Sequence, residues 1–300
     1  MSSYAKAETL VGALAAPLDW TRFSVHWSTV VGLAAFGAAY LARARAVERA
    51  VARQRASSGD APLPSELAPS AGQRAMFFAG VAVMFLALNG PLHDLSDYYL
   101  FSAHMVQHLL LTLVVAPLFV AGTTGAMLRP LLGMRGVGAA ARWLTGPRVC
   151  FVVFNVVLAA WHLPVLYNLA MASHPVHIVQ HLCFLAAAVL MWWPLLSPLP
   201  ELPRLSYPLQ MLYAFLMTIP MTTVSIYIVY AESVLYPAYA SAPRLWAISP
   251  LQDQLIGGLI MWVPGGLFFL GVLTVIFFTW VAREGDDAAT AQVDYVGSRV

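Results

Sequence analysis

Charge is what this chain has least of. Only 10% of its 300 residues are Asp, Glu, Lys or Arg, against about a quarter in an average soluble domain. With 60% hydrophobic residues beside them, so few charges exclude an ordinary soluble globule. Cysteine is scarce too. Cys150 and Cys183 are the two in the chain and have no Cys-x-x-Cys spacing, which excludes a disulfide framework; both read as small apolar packing residues. No acidic side chain lies inside an apolar run: Asp94, Asp97, Glu232 and Asp253 all fall at run boundaries, which argues against a dicarboxylate di-iron or manganese site. Residues 1–19 lack a basic region leading straight into an apolar core, so no cleaved signal peptide is expected and the first span directs insertion.

What the chain does have is long apolar runs. Seven of them, each near the roughly 20 residues a helix needs to cross a bilayer, lie at 23–42, 74–91, 98–122, 148–168, 175–196, 207–231 and 251–281. The predicted fold class is therefore all-α, a polytopic membrane protein with seven transmembrane helices. Thirteen of the sixteen basic residues fall on one side of such a topology, leaving Lys6, Arg22 and Arg244 on the other. The excess of basic residues marks the cytoplasmic side, so the N-terminus is expected outside and the C-terminus in the cytoplasm. Anionic lipid beside the helix ends accounts for these arginines and for the net charge of +2, with no nucleic acid required.

Three regions follow. Residues 1–19 form an outer, periplasmic N-terminal segment; 20–283 form the membrane domain, with 43–72 a cytoplasmic loop inside it; 284–300 form a polar cytoplasmic tail expected to be disordered. The stretch 122–147 mixes Gly, Arg and apolar residues at loosely helical spacing and is expected to lie in the interface.

One pattern occurs twice. His-x-Val-Gln-His is found as His104 to His108 in the third run and as His177 to His181 in the fifth. Residues at i and i+4 stand one above the other on a helix face, so each copy offers two imidazoles in one direction. Ionisable groups within a bilayer are costly and mark function by default. At about 1.5 Å per residue, His104 and His108 lie about 9 and 15 Å below the outer start of their run, His177 and His181 about 3 and 9 Å, and His162 about 9 Å. His104, His162 and His181 are thus expected to share a depth. The candidate metal ligands are His104, His108, His177, His181 and His162, with His26, His93, Met105 and Asp253 as further candidates and His174 as a surface residue or entry ligand. Asp253 could be a ligand or a group that orients a ligand, though a carboxylate so placed is more often a helix cap. Imidazole suits copper, zinc, iron and nickel, with divalent affinity peaking at copper; the chemistry alone leaves the metal open.

The residues Phe101-Ser102-Ala103-His104-Met105-Val106-Gln107-His108, then Trp161-His162-Leu163-Pro164, then His177 to His181 ending in Trp192-Trp193-Pro194, then Asp253-Gln254 with Met261-Trp262-Val263-Pro264-Gly265, resemble the CtaG family of seven-span bacterial cytochrome c oxidase assembly factors. The resemblance implies an inner-membrane protein that binds a copper ion, Cu(I) or Cu(II), and aids its insertion into the catalytic subunit of a haem-copper oxidase. A periplasmic copper carrier would then be a partner. It also implies that His104, His108, His162, His177 and His181 handle the metal, and that the chain is not an enzyme. The chain has no paired cysteines, so thiolate-based copper transfer is not implied.

Two other readings stand beside it. Lipid desaturases and hydroxylases also use His-x-x-x-His pairs for a di-iron centre, but those boxes resemble a cytoplasmic-side arrangement with adjacent His-His pairs, which this chain lacks. A haem-binding membrane cytochrome is disfavoured because two His at i and i+4 on one helix aim at one site. Copper transport across the whole membrane is disfavoured as well, since no row of acidic or Met residues continues to the cytoplasmic face.

Overall fold

A computed structural model describes residues 23–58 and 67–297. The expected segment 1–19 lies outside the described residues, as does part of the expected loop. The described residues are mostly helical, with no strand among them. Five helices are long and apolar enough to cross a membrane, or up to seven when each of two bent helix pairs counts as one span. This is an all-α polytopic membrane protein, and its outer surface is correspondingly apolar: Val152, Val156, Leu182, Phe215, Leu267 and Phe278 are exposed.

Helix α1 spans Trp27–Ser58, so the first run continues as a helix through Arg43, Arg45, Arg49, Arg53 and Arg55, beyond its expected end at 42. Arg43 donates to the carbonyls of Met127 and Ala126, which ties this helix to the segment after the third run. Helices α2 (Ala71–Ala87) and α3 (Gly90–Tyr98) form the second span, bent by 47°. Ser70 and Gln73 close a capping box at the start of α2. The bend sits at an Asn-Gly pair, a turn signal. Gly90 has φ +69°, a conformation that costs a residue with a Cβ. Its N–H donates to Ser24 and the Asn89 side chain accepts from the His26 N–H. The expected end of this span at 91 is therefore corrected: α3 carries the chain seven residues further, and His93 sits within a helix.

The third span runs as α4 (Phe101–Leu109), a π-helical turn (Leu110–Val115) and α5 (Ala116–Ala121). Pro117 has no N–H for the helix ladder, and the widened turn just before it absorbs the mismatch. The Thr112 carbonyl in that turn accepts from Trp192 Nε1 instead. Two short helices follow, α6 (Gly125–Leu132) and α7 (Val137–Leu144), and α7 turns 75° from α8 (Pro147–His162). The expected fourth span to 168 is broken after His162. Leu163, preceding Pro164, adopts φ −65°, ψ 134°, the extended conformation that a following proline imposes, and α9 (Pro164–Ala172) then starts afresh.

Helices α10 (His174–Leu196) and α11 (Tyr207–Val229) follow their runs closely. A connection containing the short α12 (Pro237–Ala240) leads to α13, Pro250–Gly297. The last helix thus continues through the polar residues where a disordered tail was expected. Helices α11 and α13 pack closely, and so do α13 and α4. At Gly257 an added methyl would overlap the Phe101 ring and lie 3.2 Å from Met105 Cγ, so only glycine permits that approach.

Candidate metal centre

Tracing the helices in order puts Arg43, Arg74, Arg129, Arg148 and Arg204 at one end of the bundle and every histidine at the other. His26 precedes α1, His93 is in α3, His104 and His108 are in the first turns of α4, His162 ends α8, and His174, His177 and His181 begin α10. The polar face of α10 comprises His177, Gln180 and His181, spaced i, i+3, i+4.

Two groups of three side chains bring their potential ligand atoms within 4.8 Å of one another: His104, His108 and His181, and Asp97, His104 and His177. His104 belongs to both. Its side chain is fully buried, and His108 and His177 are each 5% exposed. His104 Nε2 lies 2.8 Å from His108 Nε2. Two nitrogens each about 2.0 Å from one ion, at cis or tetrahedral angles, lie about 2.8–3.3 Å apart, so the pair already has the spacing of two ligands on one cation.

The protons on these rings follow from their partners. Tyr239 gives its one hydroxyl proton to the Ser96 carbonyl at 2.7 Å, so its oxygen accepts from Tyr167 at 3.0 Å and from His104 Nδ1–H at 3.1 Å. The proton of His104 is thereby held on Nδ1, and its Nε2 lone pair faces His108. An outlying hydrogen bond that sets tautomer and ring orientation is what metal-binding histidines usually have. His162 donates Nδ1–H to the Leu158 carbonyl at 2.7 Å, which leaves its Nε2 as a bare acceptor.

Four imidazole nitrogens here are buried with no hydrogen-bond partner: His108 Nδ1, His162 Nε2, His177 Nε2 and His181 Nε2. Each such orphan costs about 1–3 kcal/mol, a cost that coordination to a cation would remove. The donor set fits a borderline transition-metal ion.

The other sequence candidates separate clearly. His162 stands beside His108, ring centroids 6.1 Å apart, rather than in a layer with His104 and His181; it flanks the triad. His93 Nδ1 is 3.2 Å from the Gln107 side-chain nitrogen, so it accepts there and its Nε2–H points to Asp97 Oδ2 at 3.5 Å. His26 packs edge-on against His93 at 4.4 Å. Met105 faces α13 in the apolar core, away from the imidazoles. Asp253 accepts from the N–H groups of Phe101 and Ser102 and from the Ser102 hydroxyl. Its carboxylate is thus saturated as a cap supplied from α13 to the N-terminus of α4, where the helix dipole favours an anion.

Sequence reasoning missed four residues. Asp97, expected at the outer boundary, is folded into the histidine group, its side chain only 12% exposed; the Asn89-Gly90 turn was the available signal, because the bend there carries α3 back over the bundle. Gln107 occupies the repeated Gln position and donates to the Ala87 carbonyl at 2.7 Å. Tyr239 and Tyr236 reach down from the connection between α11 and α13, and Tyr236 donates to the His162 carbonyl at 2.9 Å. No local pattern announces those two tyrosines.

The family model described as cytochrome c oxidase caa3 assembly factor (Caa3_CtaG) matches residues 38–283, a range that holds every member of both three-residue groups. No curated protein and no solved structure matches the chain.

Proposed function

The chain belongs to the family of cytochrome c oxidase caa3 assembly factors, and on that premise we propose that it assists assembly by holding a copper ion at His104, His108 and His181 and releasing it to the oxidase catalytic subunit. The observation that carries this reading is the triad of two buried imidazoles and one half-buried imidazole with ligand atoms within 4.8 Å. Copper is favoured over other divalent ions because an imidazole set binds it most strongly. His162 stands within one ring of the triad, and its bare Nε2 supplies a fourth nitrogen for a cation displaced toward it.

Tyr239 holds the His104 lone pair toward the ion, Asp253 fixes the helix that carries His104 and His108, and the two tyrosines from the α11–α13 connection cover the triad against bulk water. Ligand exchange, rather than bond chemistry in a substrate, is what such a site performs, so the chain acts as a carrier and not as an enzyme. The arginine-bearing end lies in the cytoplasm by the excess of basic residues, which sets the histidine end on the periplasmic side of a bacterial inner membrane. Copper arriving from a periplasmic carrier would meet the site there.

Metal content of the purified protein, measured by mass spectrometry beside a variant with His104, His108, His177 and His181 all changed to Ala, tests the reading. Near-stoichiometric copper that disappears in a still-folded variant is expected. Iron in its place would favour a di-iron membrane oxidoreductase. No metal after reconstitution with Cu(I), Cu(II), Fe(II) or Zn(II) would sink metal binding altogether.

A further inference from the structure

All eight histidines of the chain form one connected, branching file that runs inward from an exposed end. His174, exposed at the start of α10, has its ring 6.4 Å from His26, which is half-buried. His26 lies 4.4 Å from His93, and His93 faces Asp97. Asp97 Oδ2 is also 3.7 Å from His177 Nδ1. The His177 ring lies 5.2 Å from His104 and 4.4 Å from His181. Beyond them come His108 and, last, His162. Asp97 is the sole carboxylate in either of the two groups, and it stands where the exposed half of the file meets the buried half.

Two features make that junction a place a cation would stop. His177 Nε2 is buried without a partner, and His177 itself is 5% exposed. His93 takes an N–H from Gln107 on one nitrogen and turns its own N–H toward Asp97, so it steadies the carboxylate. The side chains that junction offers an ion are then Asp97, His177 and His104. Elsewhere the triad is closed off: Tyr239 and Tyr167 cover His104, Tyr236 bonds to the backbone of His162, and Arg244 donates to carbonyls of Tyr239 and Ala242 within the covering segment.

We infer that Asp97, His177 and His104 form a second, transient cation station, the acceptor through which a divalent metal ion entering past His174 and His26 is passed to the triad. The inference rests on the metal-holding reading above and adds a route and a charge preference to it. A carboxylate with two imidazoles suits a divalent ion, and a lone negative charge at the mouth of a low-dielectric path raises the rate at which cations arrive. His104, common to both stations, lets the ion change partners without leaving coordination.

The test uses the full chain in lipid nanodiscs, mixed rapidly with Cu(II) as its glycine complex, quenched with chelator at intervals, and assayed for bound copper by mass spectrometry. Asp97→Asn is expected to slow uptake about tenfold while leaving the final occupancy unchanged. Asp97→Glu, which keeps the charge, should restore the rate. His174→Ala, at the exposed rim where folding is not at stake, should slow uptake in the same direction by less. Uptake by Asp97→Asn at the wild-type rate would overturn the route, and so would a lowered end-point, which would make Asp97 a ligand of the resting site. Wild-type rates in His174→Ala would overturn the entry side. A wild-type chain that takes up no copper would overturn both the functional reading and this one, whereas failure of the route alone leaves wild-type uptake intact.

Discussion

The two copies of His-x-Val-Gln-His are the same by sequence and opposite in their surroundings. In the first copy, on α4, Gln107 reaches the Ala87 carbonyl, His93 and Ser96. His104 is fixed by Tyr239, and the helix N-terminus is held by Asp253. In the second copy, on α10, both amide atoms of Gln180 are buried without a partner, and so are His177 Nε2 and His181 Nε2. One half of the site is largely locked, with only His108 Nδ1 left without a partner, and the other is left mostly unsatisfied. A buried group without a partner is costly to keep, so the open half is where binding has most to gain and where movement between stations costs least.

The sharpest way to break this comparison is to remove one ring from each half. His104→Ala takes away the member common to both groups of donors, and copper affinity measured by competition with a chelator should fall by more than the roughly 100-fold that loss of an outlying partner costs. His177→Ala, which spares the triad, should change affinity much less. Equal losses in the two variants would show that the copies act as one site.

Next in size is the anchor of the locked half. Asp253→Ala strips the cap from Phe101 and Ser102 and leaves buried donors unpaired, so thermal unfolding in nanodiscs should report a loss of about 3 kcal/mol. A loss below about 1 kcal/mol would mean that α4 does not depend on this carboxylate. Smallest, and the most direct on the asymmetry, are the two glutamines. Gln107→Met, which breaks a satisfied network, should destabilise by about 1–3 kcal/mol, whereas Gln180→Met, which deletes two orphaned polar atoms in similar volume, should be neutral or stabilising. The same sign of change at both positions would remove the distinction between the halves.

Much of this was legible along the chain because it is local. An i, i+4 pair of histidines faces one way on any helix, and an apolar run of spanning length becomes a membrane helix whatever surrounds it. His104, His108 and His181 could therefore be named before the helices were placed. The repeat suggested four equivalent histidines; the structure separates His177 toward Asp97 because α10 presents its first turn to α3 and its second to α4. Asp253 reads first as a helix cap with a ligand role as the alternative, and only the approach of α13 to α4 through Gly257 makes it the cap of α4 rather than of its own helix. His162 was placed by depth alone, and it took the structure to set its ring beside His108, since depth along a helix does not say which helix lies across from it.

The sequence by itself determined that the chain is helical and membrane-bound, that most of its basic residues lie at the end opposite its histidines, and which pairs of imidazoles share a helix face. These follow from composition and from the periodicity of the helix, which act within a few residues. Only the tertiary structure decided that Asp97 joins the histidines, that Tyr239 holds the proton of His104, and that one copy of the repeat is satisfied at its Gln while the other is not. Those outcomes depend on where the Asn89-Gly90 turn and the Leu163-Pro164 break redirect the chain, and on contacts between residues up to 152 positions apart in sequence, which no local pattern encodes.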